Sequence, residues 1–455
     1  MKAATQLGEL VDGQLDITGA VARRGAASPN GELNRLAPED RPVHQWYRFG
    51  ISYPPHLVRT YLERFALTAQ DCVLDPFCGA GTTLVECKKQ GVPSVGVEAN
   101  PMAHFASRTK VDWTPDPDGL RRHAALVAGA TLRALQQIGI DDQAPFGAAT
   151  ADPNALRTLA PELGTLLLTD SISPLPLHKA LTLLDCIAAC HDERYAAHER
   201  LALAKALVFG ISNLQFGPEV GVGSRKADAP VVATWLAGVH SMADDLTAVQ
   251  SLAGAESTVL FGDSRQVVQT LPPNSVSAVI TSPPYPNEKD YTRTTRLESV
   301  LLGFIKSKDE LRTLKRSLVR SNTRGVYKAD DDDQWVAEHA EIQRIARTIE
   351  ARRLELGKTS GFERMYARVT KLYFGGMARH MAELRPALRP GARLAYVVGD
   401  QASYLRVMIR TGQILADLAA TLGYEIESID LFRTRLATAT RELLREEVVV
   451  LRWPG

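Results

Sequence analysis

The sequence predicts an α/β protein with a doubly wound, mostly parallel sheet, and three stretches predict it. Val276 to Ile280 is an apolar run that stops at Thr281-Ser282-Pro283-Pro284-Tyr285. A buried strand closed by a breaker reads this way, and in doubly wound sheets ligands react just outside the carboxyl ends of strands. Cys72-Val73-Leu74-Asp75 is a second apolar run, and the glycine-rich turn Pro76-Phe77-Cys78-Gly79-Ala80-Gly81-Thr82-Thr83 leads from it into Leu84-Val85-Glu86, giving strand, loop and helix. Ser94-Val95-Gly96-Val97-Glu98 is a third strand, ending in an acid about 20 residues after the loop, where a carboxylate can take both hydroxyls of a ribose.

Size and composition bound what this sheet can serve. At 455 residues the chain holds about two or three domains, or one large domain with insertions. Hydrophobic residues at 45% and charged residues at 23% fit a soluble globular protein. The net charge of +1 means that a nucleic-acid partner has to be argued from local patches. Cys72, Cys78, Cys87, Cys186 and Cys190 are odd in number and lack C-x-x-C spacing, so neither a disulfide framework nor a zinc site is expected; no metal is assigned, and a reducing cytoplasm fits best. No signal-like segment opens the chain and no apolar run reaches about 18 residues, so neither secretion nor a membrane is expected.

Taken in order, residues 1 to about 40 mix Gly, Arg, Asn and Pro and are expected to form an irregular arm. His44-Gln45-Trp46-Tyr47-Arg48-Phe49 then leads to Tyr53-Pro54-Pro55-His56, after which Leu57, Val58, Tyr61, Leu62 and Phe65 recur at helical spacing and dock one face. Glycines at 79 and 81 let the backbone approach a ligand closely, while Asp75 can accept from an ammonium group. An amino acid joined to a nucleoside satisfies Asp75 and Glu98 together. A nicotinamide cofactor is the alternative, although the third glycine of G-x-G-x-x-G is absent and Asp75 sits badly beside a pyrophosphate. In Ser282-Pro283-Pro284-Tyr285 the prolines fix a rigid turn that presents carbonyls beside the Ser282 hydroxyl, with the Tyr285 ring as a flat wall for a planar base. Alone, this tetrapeptide reads equally as a strand end followed by a proline turn.

The combination of Tyr53-Pro54-Pro55, Asp75 to Thr83, Gly96-Val97-Glu98-Ala99-Asn100-Pro101 and Thr281 to Tyr285 resembles the S-adenosylmethionine-dependent DNA amino-methyltransferases, over about 150 residues. The resemblance implies a Rossmann-like, seven-stranded class I methyltransferase sheet with one antiparallel strand and, in this chain, a large helical insertion. Strands matching that scheme are expected near 72–77, 94–99, 258–263, 277–282, 392–399, 424–431 and 446–452. It implies S-adenosylmethionine on Tyr53, Asp75, Phe77, Gly79, Gly81, Thr82, Thr83 and Glu98, with Asp263 on the adenine amino group. Catalysis falls to Ser282, Pro283, Pro284 and Tyr285. An exocyclic amino nitrogen is a poor nucleophile because its lone pair is delocalised; acceptors at Ser282 and near Pro283 hold the amino hydrogens. The base is flipped out of the duplex and stacked on Tyr285. Ser at the first motif position resembles the cytosine-N4 branch, whereas an adenine enzyme more often has Asp or Asn there. No Pro-Cys pair occurs at this turn, which argues against methylation at cytosine carbon 5; Cys78 lies in the cofactor loop.

On this scheme residues 41–114 and 256–455 form the catalytic domain and 115–255 a helical insertion. Only about 14 residues separate Asp263 from Ser277, too few for a recognition domain, so double-stranded DNA is read by the insertion, by residues 300–370, or by both. From 306 to 328, eight cations face only Asp309 and Glu310, a bias that points to phosphate contact. Arg293, Arg296, Lys315, Arg316, Arg320 and Arg324 are the DNA-binding candidates. Asp330 to Asp333 reads as a solvated turn. Asp400 reads as a ligand contact or a helix cap, and Phe216 to Lys226 as a surface loop with phosphate binding as its alternative. The family raises a cognate restriction endonuclease as a companion. Adenine-N6 methylation of DNA is the first alternative, followed by RNA base amino-methylation and a cofactor-binding regulator without activity.

Overall fold

The computed structural model describes residues 36–48, 52–142, 155–216, 219–252, 254–287, 289–436 and 442–455. The expected arm lies outside the described residues up to residue 35. Its last part is held: Asp40 is buried and pairs with Arg59 at 2.7 Å.

The strands are β1 (Val73–Asp75), β2 (Ser94–Glu98), β3 (Leu214–Phe216), β4 (Val220–Val222), β5 (Ser257–Phe261), β6 (Val276–Thr281), β7 (Leu388–Gly399), β8 (Glu425–Leu436) and β9 (Leu443–Arg452). Seven of them form one sheet in the order β5-β2-β1-β6-β7-β9-β8. Neighbours from β5 through β7 are parallel, while β9 runs antiparallel to both β7 and β8. The expected seven strands and the one reversed strand are therefore present. The central strands β1, β6 and β7 are buried on both faces, which is why they read as unbroken apolar runs and not as alternating ones. β3 and β4 pair separately as a hairpin within the Phe216 to Lys226 region.

Helices cover both faces. α1 (Pro55–Arg64) lays Leu57, Val58, Tyr61 and Leu62 against Ile280, Ala395 and Val397, the face that its spacing predicted. α2 (Thr82–Lys89) and α3 (Pro101–Lys110) complete the crossovers on either side of β2. The segment expected to be mostly helical contains α4 (Pro117–Gln136), α5 (Pro174–Ala189), α6 (Ala196–Ala206) and α7 (Val231–Val249). These helices share a single hydrophobic cluster with Trp46, Leu84 and Met102, so the insertion extends the core of the sheet and does not build a separate one. Asp245 of α7 fixes the join by accepting from Val43 N at 2.9 Å and Trp46 Nε1 at 2.8 Å.

After β6 come α8 (Lys308–Ser317), α9 (Ala340–Glu355), α10 (Tyr366–Leu384) and α11 (Thr411–Thr421). α10 packs on the sheet face opposite α1, with Tyr373 and Met377 against Leu74, Val279 and Leu394. At Gly375 an added Cβ would lie 1.9 Å from the Asp332 carbonyl oxygen, so only glycine lets the 332 turn seat on the helix. The carboxyl ends of β5, β2, β1, β6 and β7 all open on one edge of the sheet.

Candidate active site

A cavity of about 530 Å³ runs across that edge. Its walls come from the loop after β1 (Pro76 to Ala80 and Thr82), the end of β2 (Glu98 to Asn100), Gly262 and Ser264 after β5, the turn Ser282 to Tyr285 after β6, Gln401 and Ser403 after β7, and the segment from Lys315 to Asn322. Tyr53 closes one side.

The loop after β1 is shaped by two left-handed glycines, Gly79 at φ 52° and Gly81 at φ 81°. A Cβ at Gly81 would also stand 3.0 Å from Ser107 Cβ, so close packing and backbone conformation exclude a side chain there for separate reasons. Glu98 ties this loop to β2: Oε2 accepts from Gly79 N at 2.8 Å and Oε1 from Asn100 N at 2.7 Å. Each oxygen keeps a second lone pair for a hydroxyl donor. Burial pushes the Glu98 carboxyl up to about 7, against the main-chain bonds that favour its charge. Asp75 lies beneath, fully buried, and burial raises it to about 6 although Thr281, Thr83, Phe77 N and Tyr53 all stabilise its ionised form. Tyr53 Oη donates to Asp75 Oδ2 at 3.2 Å and also contacts Thr83 Oγ1. Phe77 meets the buried His380 ring edge-on at 4.9 Å.

The turn after β6 is fastened to both neighbouring strands. Thr281 Oγ1 donates to Asp75 Oδ1 at 2.6 Å, and Thr83 Oγ1 donates to the Ile280 carbonyl at 3.0 Å. Ser282 Oγ donates to the Val397 carbonyl at 3.1 Å, which commits its hydrogen and leaves the oxygen as an acceptor. Pro283 and Pro284 hold the turn along the cavity wall. The Tyr285 ring rests on Gly399, where a Cβ would lie 3.0 Å from Tyr285 Cε2. Gly399 was not among the expected site residues; a glycine closing a strand beside the catalytic one was the available signal.

Several expected residues are elsewhere. Asp263 is not on the cavity wall: Arg265 clasps its carboxylate, with Nη2 at 2.7 Å and Nε at 3.0 Å, and Arg265 also reaches Asp332 at 2.5 Å. Arg320 is buried on the cavity wall and paired with Asp330 at 2.8 Å, so its charge is neutralised within the fold. Arg296 turns inward onto the Thr292 carbonyl and hydroxyl and the Leu166 carbonyl. Lys315 lines the cavity and pairs with Asp290 at 2.9 Å. Asp330 is thus the counter-ion of Arg320, while Asp332 pairs with Arg265 and Arg379, which corrects the solvated turn: the chain folds back and both carboxylates are held by arginines. Asp400 pairs with Arg410 and Arg445 and neither caps a helix nor lines the cavity wall. Arg316 and Arg324 stay exposed, Arg316 over the Tyr327 ring at 5.2 Å, while Arg293 and Arg324 approach Glu219 at 4.0 and 3.9 Å.

With this geometry in place, likeness to known proteins is informative. Residues 32–107, which contain the loop after β1 and all of β2, match the N6/N4 methyltransferase family model described as DNA methylase. The Type II methyltransferase M.BsoBI of Geobacillus stearothermophilus is 24% identical over 444 residues, covering 91% of this chain and 85% of that protein. The Type II methyltransferase M.AvaI of Nostoc sp. is 23% identical over 452 residues, covering 92% and 88%. The crystal structure of TrmN from Thermus thermophilus aligns with a TM-score of 0.24 at 10% identity, over 88% of this chain and 48% of that one. Similarity that runs nearly end to end, together with a family match centred on the glycine loop, agrees with the sheet order and the proline turn: this chain is similar to the S-adenosylmethionine-dependent DNA amino-methyltransferases of the N4/N6 family.

Proposed function

We propose that this enzyme methylates the N4 amino group of a cytosine turned out of duplex DNA, and that one cavity receives both the methyl donor and the base. The observation that carries the proposal is the Ser282 hydroxyl, whose hydrogen is held by Val397 O at 3.1 Å so that, beside its contact with the Tyr285 hydroxyl, a lone pair remains for an amino group.

The donor side of the cavity fits an amino acid joined to a nucleoside. Glu98 has free lone pairs for the ribose hydroxyls, and its proton affinity near neutrality falls when those donors arrive. Asp75 and Tyr53 sit beside the glycine loop, where the absence of Cβ atoms at 79 and 81 admits the cofactor backbone. Phe77, Thr82 and Thr83 shape or brace the same loop. With Asp263 bound to Arg265, contact with the adenine amino group falls to the main chain of Gly262 or to Ser264 on the wall. When bound, S-adenosylmethionine supplies an electrophilic methyl group.

On the target side, Ser282 Oγ and the Pro283 carbonyl accept the two amino hydrogens and draw the nitrogen toward a pyramidal, more nucleophilic form. The prolines keep these acceptors from relaxing, so alignment is achieved before the reaction begins. Tyr285 provides the flat surface against which the base is held. Exposed Arg316 and Arg324, with Arg293, are the phosphate-contact candidates that remain outside the core.

The test is incubation of purified protein with mixed-sequence duplex DNA and isotopically labelled S-adenosylmethionine, followed by nucleoside digestion. Label in N4-methylcytosine supports the reading. Label only in N6-methyladenine rejects the cytosine assignment, and label entering transfer RNA but not duplex DNA rejects the substrate class.

A further inference from the structure

We propose that Arg433 reads the ring side of the target base by donating to N3 and O2 of a cytosine, and that it thereby sets the preference for cytosine over adenine. This inference rests on the reading that the cavity receives a flipped base whose amino hydrogens go to Ser282 and the Pro283 carbonyl.

Those two acceptors leave the rest of the pairing edge of a cytosine, the adjacent acceptors N3 and O2, in need of donors, and an extruded base is read along that edge. Arg433, Glu446 and Tyr285 all line the cavity. Arg433 of β8 pairs in register with Glu446 of β9, and Glu446 with Gly399 of β7, on which the Tyr285 ring rests. Side chains at paired positions share one face of a sheet, so the ring, the carboxylate and the guanidinium form a row. The pairing of β8 with β9 is irregular between Leu431 and Arg433, and Phe432 lines the cavity beside Arg433, where a regular strand would turn one of the two away.

The guanidinium is held in one orientation. Glu446 takes the side of the fork formed by Nε and Nη2, at 2.6 and 3.0 Å. This side-on pair leaves the outward hydrogens of Nη1 and Nη2, which run parallel, for a second planar partner. Nη1 has no hydrogen-bond partner among the described residues, yet it is not one of the buried atoms left unpaired, so it keeps accessible surface. The rest of the side chain is closed off, with 7% exposure. Arg435 also lines the cavity, but it reaches Glu446 only at 3.7 Å and is 36% exposed, without the fixed orientation of Arg433.

Two parallel N–H groups reproduce what guanine offers to N3 and O2 of cytosine in a duplex. Adenine presents N1 beside its amino group but a C–H where cytosine has O2, so one donor is left unmet. Thymine turns an N–H toward the fork. A site built to hydrogen-bond a group discriminates strongly against an analogue that lacks it. Glu446 adds a second effect, since its charge offsets that of the guanidinium, and the donors then do not oppose the positive charge that the amino group gains on accepting a methyl group.

The experiment compares the parent with Arg433→Met and Arg433→Lys on a duplex whose methylated cytosine has been mapped with the parent. The same duplex carrying 3-deazacytosine at that position keeps the amino group and replaces N3 by C–H. Single-turnover methyl transfer gives the ratio of rates on the two duplexes, and calorimetry gives cofactor affinity. The altered amino group of the analogue affects every protein alike, so the change in ratio between proteins isolates the side chain. Arg433→Met is expected to lower the ratio about 5- to 10-fold, with cofactor affinity within about twofold of the parent. Arg433→Lys, which keeps a cation beside Glu446 but not the fork, is expected to lower it about threefold. A ratio in Arg433→Met equal to that of the parent overturns the inference and leaves the methyltransferase reading intact. If Arg433→Met does not bind the cofactor, Arg433→Lys decides alone: a lowered ratio supports the inference and the parental ratio overturns it. A loss of cofactor affinity in both variants as large as the loss of methyl transfer assigns Arg433 to the cofactor and also overturns it. A parent that methylates adenine and no cytosine overturns the cytosine reading, and the inference with it.

Discussion

Thr281 Oγ1 donates to Asp75 Oδ1 at 2.6 Å, and this bond joins the end of β6 to the end of β1 directly below the cavity. The loop proposed to hold the methyl donor and the turn proposed to hold the target therefore share a buried carboxylate. Thr83 doubles the link by donating to Ile280 O, so the two half-sites cannot shift independently without breaking buried hydrogen bonds.

Thr281→Val keeps the shape of the side chain and removes its donor. A buried carboxylate oxygen then loses a partner, at a cost of about 1–3 kcal/mol. Cofactor affinity measured by calorimetry and stability measured by urea unfolding should both fall, whereas Thr281→Ser, which keeps the hydroxyl, should retain most of each.

Glu98→Gln should weaken the cofactor by about 10-fold or more through loss of charge-assisted bonds to hydroxyl groups. It should also change the pH dependence of stability in a definite direction. Burial raises the Glu98 carboxyl from 4.5 to about 7, so the native state binds this proton more tightly than the unfolded chain. That contribution is fully present below pH 4.5 and is lost as pH rises through about 7. The stability of the parent minus that of the glutamine variant, in the absence of cofactor, should therefore decline from pH 4.5 to 7; an increase over the same range would contradict the environment described for Glu98.

Gly399→Ala places a methyl group 3.0 Å from Tyr285 Cε2 and 3.3 Å from Glu446 Cγ. Both neighbours are side chains, and at 3.0 Å the ring has to give by a few tenths of an ångström. Turnover is expected to drop while cofactor affinity is preserved, because the glycine loop lies across the sheet from this contact. Steady-state kinetics beside calorimetry separates the two.

The basic stretch divides into two classes that respond differently. Arg320→Ala leaves the half-buried Asp330 carboxylate with Tyr327 N but without its guanidinium partner and should destabilise the fold by about 1–3 kcal/mol, seen in urea unfolding. Arg316→Ala with Arg324→Ala should leave stability nearly unchanged and flatten the salt dependence of DNA binding by up to about two units of slope.

What the amino-acid sequence made legible follows from where short-range rules decide the outcome. Apolar runs closed by a glycine or proline turn marked the strands that end at Asp75 and Thr281, and the scheme implied by the resemblance placed the rest of the seven. The loop after β1 and the turn after β6 were legible because glycine, proline and acid occur there in a fixed order. Partnership was not legible. Counting charges between 306 and 328 could not show that Arg320 would meet Asp330, since pairing depends on how the chain folds back. The same holds for Asp263, whose neighbour two residues on captures it, and for Gly399, whose value depends on the ring that arrives from another strand.

Mass spectrometry of nucleosides from the DNA of cells expressing the parent or Ser282→Ala tests the central claim most directly. The parent should introduce N4-methylcytosine, and the alanine variant should introduce far less while binding S-adenosylmethionine with nearly the affinity of the parent. Equal N4-methylcytosine from both proteins, or N6-methyladenine as the only new nucleoside from the parent, would contradict the claim that Ser282 holds the amino group of a flipped cytosine.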